Sequence, residues 1–121
     1  MTVEARMTVD ESVLDSYRVL QEEGQPDVVT EFIDVFLADL PGRIEQLRKA
    51  IASGAAPTIK SAAHALKGSS GTVGAVLLSG LCGQLEANAR AGSTDGALDL
   101  LAAIEAEAVR ARQELLRLRV D

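Results

Sequence analysis

The sequence predicts an all-α fold, an up-down-up-down antiparallel four-helix bundle with a short extra N-terminal helix. Three observations point there. The 121-residue chain is 47% hydrophobic but only 2% aromatic, and its apolar set is dominated by Ala and Leu, strong helix formers. Apolar residues recur in alternating steps of 4 and 3 along several segments, the seam pattern of bundle helices. No segment alternates with the period of two that a half-buried strand requires. One domain is expected at this length, with a core large enough to fold without disulfide or metal.

Asp10 or Ser12 caps a short first helix, with Val13, Tyr17 and Leu20 on one side and Gly24 ending it. Pro26 sits near the start of a second helix running to about Ser53, whose seam is Ile33, Leu37, Leu40, Ile44, Leu47 and Ile51. Pro41 inside it removes a backbone donor and is expected to kink the helix or split it at Leu40. Gly54 is the natural C-cap. A third helix begins near Pro57 and reaches about Gly71. The fourth runs from about Gly74 to Gly92, with Leu78, Leu81, Leu85 and Asn88 at seam spacing. Residues Ser93 to Asp95 offer caps for the last, which carries Ala97, Leu101, Ile104, Ala108, Ala111, Leu115 and Leu118.

Composition narrows the function classes. The net charge is -6, and without a basic cluster nucleic acid is not an expected partner. Cys82 is the only cysteine, so neither a disulfide framework nor a zinc spacing exists. The N-terminal stretch lacks the apolar run of a signal peptide, and no stretch reaches the ~18 apolar residues of a membrane span. A cytoplasmic location is the expectation. One histidine and one cysteine cannot build a triad. The run from Gly68 to Gly74 lacks both the GxxxxGK[ST] order and a preceding strand, which excludes a phosphate-binding loop.

His64 remains. At about 100° per residue, Ile59, Ala62, Ala63, Leu66, Ser70 and Val73 share one direction, the core face, and His64 lies about 140° from it. It therefore points outward, with Lys60, Lys67, Gly68 and Gly71 as its helical neighbours. Gly68 and Gly71 each cost roughly 0.5–1 kcal/mol inside a helix, and in return leave bare backbone beside the ring. Lys67 and Lys60 bring positive charge to that face. A phosphoryl group carries about two negative charges, which a nearby ammonium stabilises. A neutral imidazole is nucleophilic near neutral pH without a helper base.

The segment His64-Ala-Leu66-Lys67-Gly68-Ser69-Ser70-Gly71-Thr72-Val73-Gly74 resembles the signature of histidine-containing phosphotransfer (HPt) domains. The stretches Leu81 to Arg90 and Phe32 to Pro41 resemble the family's flanking helices, so the likeness covers roughly residues 10 to 118. It implies a domain over residues 10–119 behind a flexible N-terminus of residues 1–9. His64 would be the phosphoacceptor at Nε2, Lys67 the stabilising cation and Gly68 the residue that keeps the ring accessible, with Lys60, Ser69 and Gly71 in support. A polar residue of the next helix, Gln84 or Glu86, would contact the imidazole. The implied partners are receiver domains of response regulators and hybrid histidine kinases; the chain would be a monomer and a phosphocarrier without kinase activity. It would need no cofactor, Mg²⁺ belonging to the receiver. Two other readings share the fold: a substrate domain phosphorylated directly by a histidine kinase, as in the chemotaxis kinase, and a helical interaction protein with a vestigial site.

A partner surface is expected around Val28 and Val35, a heptad apart and roughly 160–180° from the seam of their helix. Phe32, Phe36 and Cys82 are read as core. Ser70 is expected to face the core and bond a carbonyl one turn back, while Ser69 meets the partner or the phosphoryl group.

Overall fold

A computed structural model describes residues 7–120; the first six residues of the expected flexible N-terminus lie outside them. Five α-helices follow one another: α1 (Glu11–Asp15), α2 (Val28–Ser53), α3 (Ala56–Thr72), α4 (Val76–Arg90) and α5 (Ala97–Leu118). There is no strand among the described residues. None of their helices is long and apolar enough to cross a membrane.

The four long helices pack in a closed circuit. α3 packs most extensively on α4; α2 packs on α3, α4 on α5, and α5 on α2. Arg119 pairs with Asp34, and Arg48 with Glu105 at 2.5 Å, so α5 runs back along α2 in the opposite direction. Inside the circuit, Ile33, Leu47, Ile59, Leu66, Leu78, Leu85, Ile104 and Leu115 are fully buried. Burying each such side chain stabilises the fold by about 1.5–3 kcal/mol.

α1 starts where Asp10 Oδ1 accepts from the Ser12 backbone N–H at 3.0 Å. It is shorter than the sequence predicts. After one turn the chain tightens into a 3-10 turn over Ser16–Leu20, and three residues per turn rotate the apolar side chains off the expected line. Val13 and Tyr17 are half-buried while Leu20 is exposed, so the three do not share one side, and Leu14 is the buried residue of α1. Tyr17 anchors the segment instead, stacking on Phe32 at 4.2 Å between ring centroids and donating its hydroxyl to the Thr72 carbonyl at 2.7 Å.

Asp27 caps α2, accepting from the Thr30 N–H at 2.9 Å, and Gly54 closes it in the left-handed conformation. α2 is not split at Leu40: Pro41 sits within one continuous helix. Pro41 is solvent-exposed, so its ring takes no space in the core.

The inward face of α4 also differs from expectation. Leu78, Cys82, Leu85, Glu86 and Ala89 are buried, whereas Leu81 is half-buried and Asn88 exposed. Cys82 faces inward as expected, and the small Ala89 joins it where α3 and α5 pack on α4. Desolvation pushes the Cys82 thiol up to about 12. α5 is entered through Gly96 at φ 74° rather than through a side-chain cap. Ser93 Oγ is occupied within the turn, accepting from the Asp95 N–H at 3.2 Å.

Candidate functional site

The close packing of α3 on α4 sets the site. Where α4 carries Gly83, an added Cβ would stand 3.7 Å from Lys67 Cδ, so the lysine stem lies across that glycine. Ser79 Oγ of α4 donates to the Lys67 carbonyl at 3.1 Å. These contacts bring the outer edge of α3 over Glu86.

Glu86 is the centre of the arrangement. Its side chain is 2% exposed, yet its carboxylate faces three cationic or basic groups. Lys67 Nζ donates to Oε1 at 3.0 Å; Arg90 Nη2 donates to Oε2 at 2.9 Å; His64 Nδ1 lies 2.8 Å from that same Oε2. The hydrogen bond from Lys67, then the one from His64, hold the Glu86 carboxyl down to about 2, outweighing the upward push of burial. An ionised carboxylate can only accept, so the bond from His64 requires the imidazole proton on Nδ1. In the neutral imidazole Nε2 then carries the lone pair.

The His64 side chain is 70% exposed, in keeping with a position opposite the core face. A cleft of about 380 Å³ beside it is lined by Lys60, Ser61, His64, Glu86 and Arg90. A proton-free, outward nitrogen bordered by cationic side chains suits a nucleophile that takes up an anionic group. No group of three or more His, Cys, Asp or Glu gathers among the described residues, so they hold no cage for a metal ion.

The structure brings together His64, Lys67, Glu86 and, along the cleft, Lys60. Of the two polar residues left open in the sequence, Glu86 contacts the ring and Gln84 is exposed. Two residues apart on a helix, they cannot face the same way. Gly68 leaves open space, with nothing within 4 Å of where a Cβ would stand; at Gly71 such a Cβ would stand 3.8 Å from Ser79 Oγ. Ser69 turns back on its own helix, its hydroxyl donating to the Leu66 carbonyl at 3.3 Å. Ser70 is fully buried as expected, but its hydroxyl bonds no carbonyl and has no hydrogen-bond partner.

Around α2, Val35 is 64% exposed, while Val28 is half-buried against the core cluster. Phe36 and Cys82 are buried and Phe32 partly so. The sequence reading missed Arg90. Its spacing of four from Glu86 is the helical ion-pair spacing and was the available signal.

Comparison with known proteins agrees with this geometry. The Hpt domain family matches residues 31–117. Histidine-containing phosphotransfer protein B from Pseudomonas aeruginosa PAO1 is 32% identical, with 93% of this chain and 94% of that one covered at a TM-score of 0.82. The histidine-containing phosphotransfer protein ZmHP2 from maize is 26% identical, covering 94% and 91% at a TM-score of 0.74. The HPT domain of a sensor hybrid histidine kinase from Shewanella, 16% identical, shares the fold, covering 92% of each chain at a TM-score of 0.74. No curated protein matches the chain in sequence.

Proposed function

We propose, from the premise that the chain belongs to the Hpt domain family, that it relays phosphoryl groups between receiver domains, with His64 as the carrier. The observation that carries this reading is the occupation of His64 Nδ1 by buried Glu86, which in the neutral ring leaves the lone pair on Nε2, on a side chain that is 70% exposed. The Nε2 lone pair attacks the phosphorus of a receiver's aspartyl phosphate. The N–P bond forms, the acyl O–P bond breaks, and the aspartate leaves as a carboxylate. A second receiver aspartate then attacks the phosphorus, and the N–P electron pair returns to Nε2. Lys67 and Lys60 offset the phosphoryl charge, and the bare backbone at Gly68 admits the partner's loop.

On this reading the four long helices form an up-down-up-down antiparallel bundle over residues 10–119, serving as a rigid post for one exposed ring. The chain is a phosphocarrier rather than a kinase, works in the cytoplasm alongside its receivers, and needs no cofactor of its own, Mg²⁺ being held by the receiver. Val35 and the half-buried Val28 lie within reach of a partner docked over α2 and α3.

The test is phosphotransfer from a labelled receiver in the presence of Mg²⁺. The wild-type protein should acquire an acid-labile, alkali-stable label, and a His64→Gln variant none. Label retained in that variant refutes the assignment. Labelling by ATP and a kinase domain with no receiver present replaces the relay with direct phosphorylation by a kinase.

A further inference from the structure

Once phosphorus occupies Nε2, Nδ1 is the one ring nitrogen of His64 left to hold a proton. An imidazole changes its charge near neutral pH, so in water such a proton is readily lost. In this protein the neighbour of Nδ1 is not water but Glu86 Oε2 at 2.8 Å, on a side chain buried between α3 and α4. The carboxylate does not take the proton for itself. Lys67 Nζ donates to its Oε1 at 3.0 Å and Arg90 Nη2 to its Oε2 at 2.9 Å. The hydrogen bond from Lys67, then that from His64, hold the carboxyl down to about 2, so Glu86 stays an acceptor.

The charges around the ring allow the same outcome. Lys60 of α3 and Arg90 of α4 line its cleft with Glu86, and Lys67 shares that carboxylate with the ring. α2 also packs on α3, but its Lys49 lies in a separate groove beside Thr58, Ser61 and Ala62, and no α2 residue lines the cleft. An arriving phosphoryl group sets about two negative charges among these cations, so a positive ring meets no excess of positive charge.

We propose that Glu86 keeps the proton on Nδ1 while the phosphoryl group sits on Nε2, so that the relay cycle moves no proton at all. This rests on His64 carrying the phosphoryl group between receivers, as proposed above. In the forward step the Nε2 lone pair forms the N–P bond, and the acyl O–P pair leaves with the receiver's aspartate. The ring gains the positive charge and donates its Nδ1–H to Glu86. In the return step an oxygen of the second aspartate attacks phosphorus, and the N–P pair goes back to Nε2. The ring departs as a neutral imidazole with the Nδ1 proton it began with. Had that proton been lost, the leaving group would be an imidazolide anion, far poorer, or the ring would first have to recover a proton. Glu86 is thus a positioning residue that also keeps the phosphorylated ring in its readily released form.

The test follows the ring nitrogens of the full-length protein carrying 15N-histidine. It is phosphorylated by a labelled receiver with Mg²⁺, and separately by phosphoramidate, a small donor that needs no receiver. In the wild type the Nδ1–H signal of the phosphorylated ring should persist to a pH about one unit or more above that in Glu86→Gln, which keeps an acceptor and removes the charge. The ratio of wild-type to variant transfer rates to a second receiver should grow with pH to about tenfold, the size of a one-unit displacement. A phosphorylated wild-type ring that loses its Nδ1 proton at the same pH as the free amino acid phosphohistidine overturns the proposal, whether or not the variant folds. Receivers that fail to label a ring that phosphoramidate does label count against the relay reading, and the nitrogen spectra still decide where the proton lies.

Discussion

Glu86 and His64 divide one hydrogen bond unequally between interior and solvent: the carboxylate is 2% exposed, and the imidazole it holds at 2.8 Å is 70% exposed. The buried partner is rigid, so the exposed one inherits its orientation. Nδ1 is committed inward and Nε2 is presented outward, a positional advantage normally lost on a solvated side chain.

Removing that partner should disorient the ring without unfolding the bundle. Glu86→Ala is expected to slow phosphotransfer by about tenfold, within the range seen when a reacting group loses its positioning. Nitrogen chemical shifts of the imidazole give an independent readout. The wild type should show the proton mainly on Nδ1, and the variant a shift toward the Nε2–H form. Glu86→Gln, which keeps an acceptor, should restore much of the preference.

The same carboxylate predicts a pH dependence. Lys67 and His64 lower the Glu86 pKa from 4.5 to about 2 in the folded state, so unfolding takes up a proton at intermediate pH. Its contribution to stability is complete above about pH 4.5 and is lost as pH falls toward about 2. Urea midpoints should decline across that window in the wild type. In Glu86→Gln this component should be missing, leaving the decline due to other carboxylates.

Two glycines should respond in opposite ways to alanine. At Gly74, φ is 75° and a Cβ would come 2.5 Å from the Asp10 carbonyl oxygen, where the Asp10 N–H also donates to the Gly74 carbonyl. Gly74→Ala is expected to cost about 1–3 kcal/mol and to loosen the α1 segment, measurable by thermal melting and by Tyr17 fluorescence. Gly68 has open space around it. Gly68→Ala should stabilise the protein by roughly 0.5–1 kcal/mol while slowing transfer to a receiver. A faster or unchanged transfer rate would remove Gly68 from the site.

Ser70 should improve on truncation. Its hydroxyl is fully buried and unpaired, a state that costs about 1–3 kcal/mol against a satisfied group. Ser70→Ala removes that penalty and little volume, so its urea midpoint should match or exceed the wild-type value. A marked loss of stability would mean that the hydroxyl has a partner.

Much of this protein was legible in its sequence because helix geometry is local. The 4 and 3 spacing placed Ile33, Leu40, Ile44 and Leu47 inside and His64 outside, since a residue's direction follows from about 100° per step and needs no knowledge of neighbours. The ends of α2 were legible for the same reason: Pro26 marks its approach, and Gly54 supplies the left-handed residue that stops it. Where a second element decides the outcome, sequence reasoning stopped short. Ala89 faces inward in place of Asn88, and Leu81 is only half-buried, where α3 and α5 both pack on α4. Pro41 stays within an unbroken α2 on its exposed side, and buried Ser70 finds no hydrogen-bond partner. The outward direction of the histidine followed from its position along α3. The choice of Glu86 over Gln84 and the commitment of His64 Nδ1 were decided only when α3 packed on α4, whereas Arg90, one turn from Glu86 on the same helix, was a local pair left unread. A hydrogen bond between residues 22 positions apart in sequence has no local signature; it exists only once two helices meet.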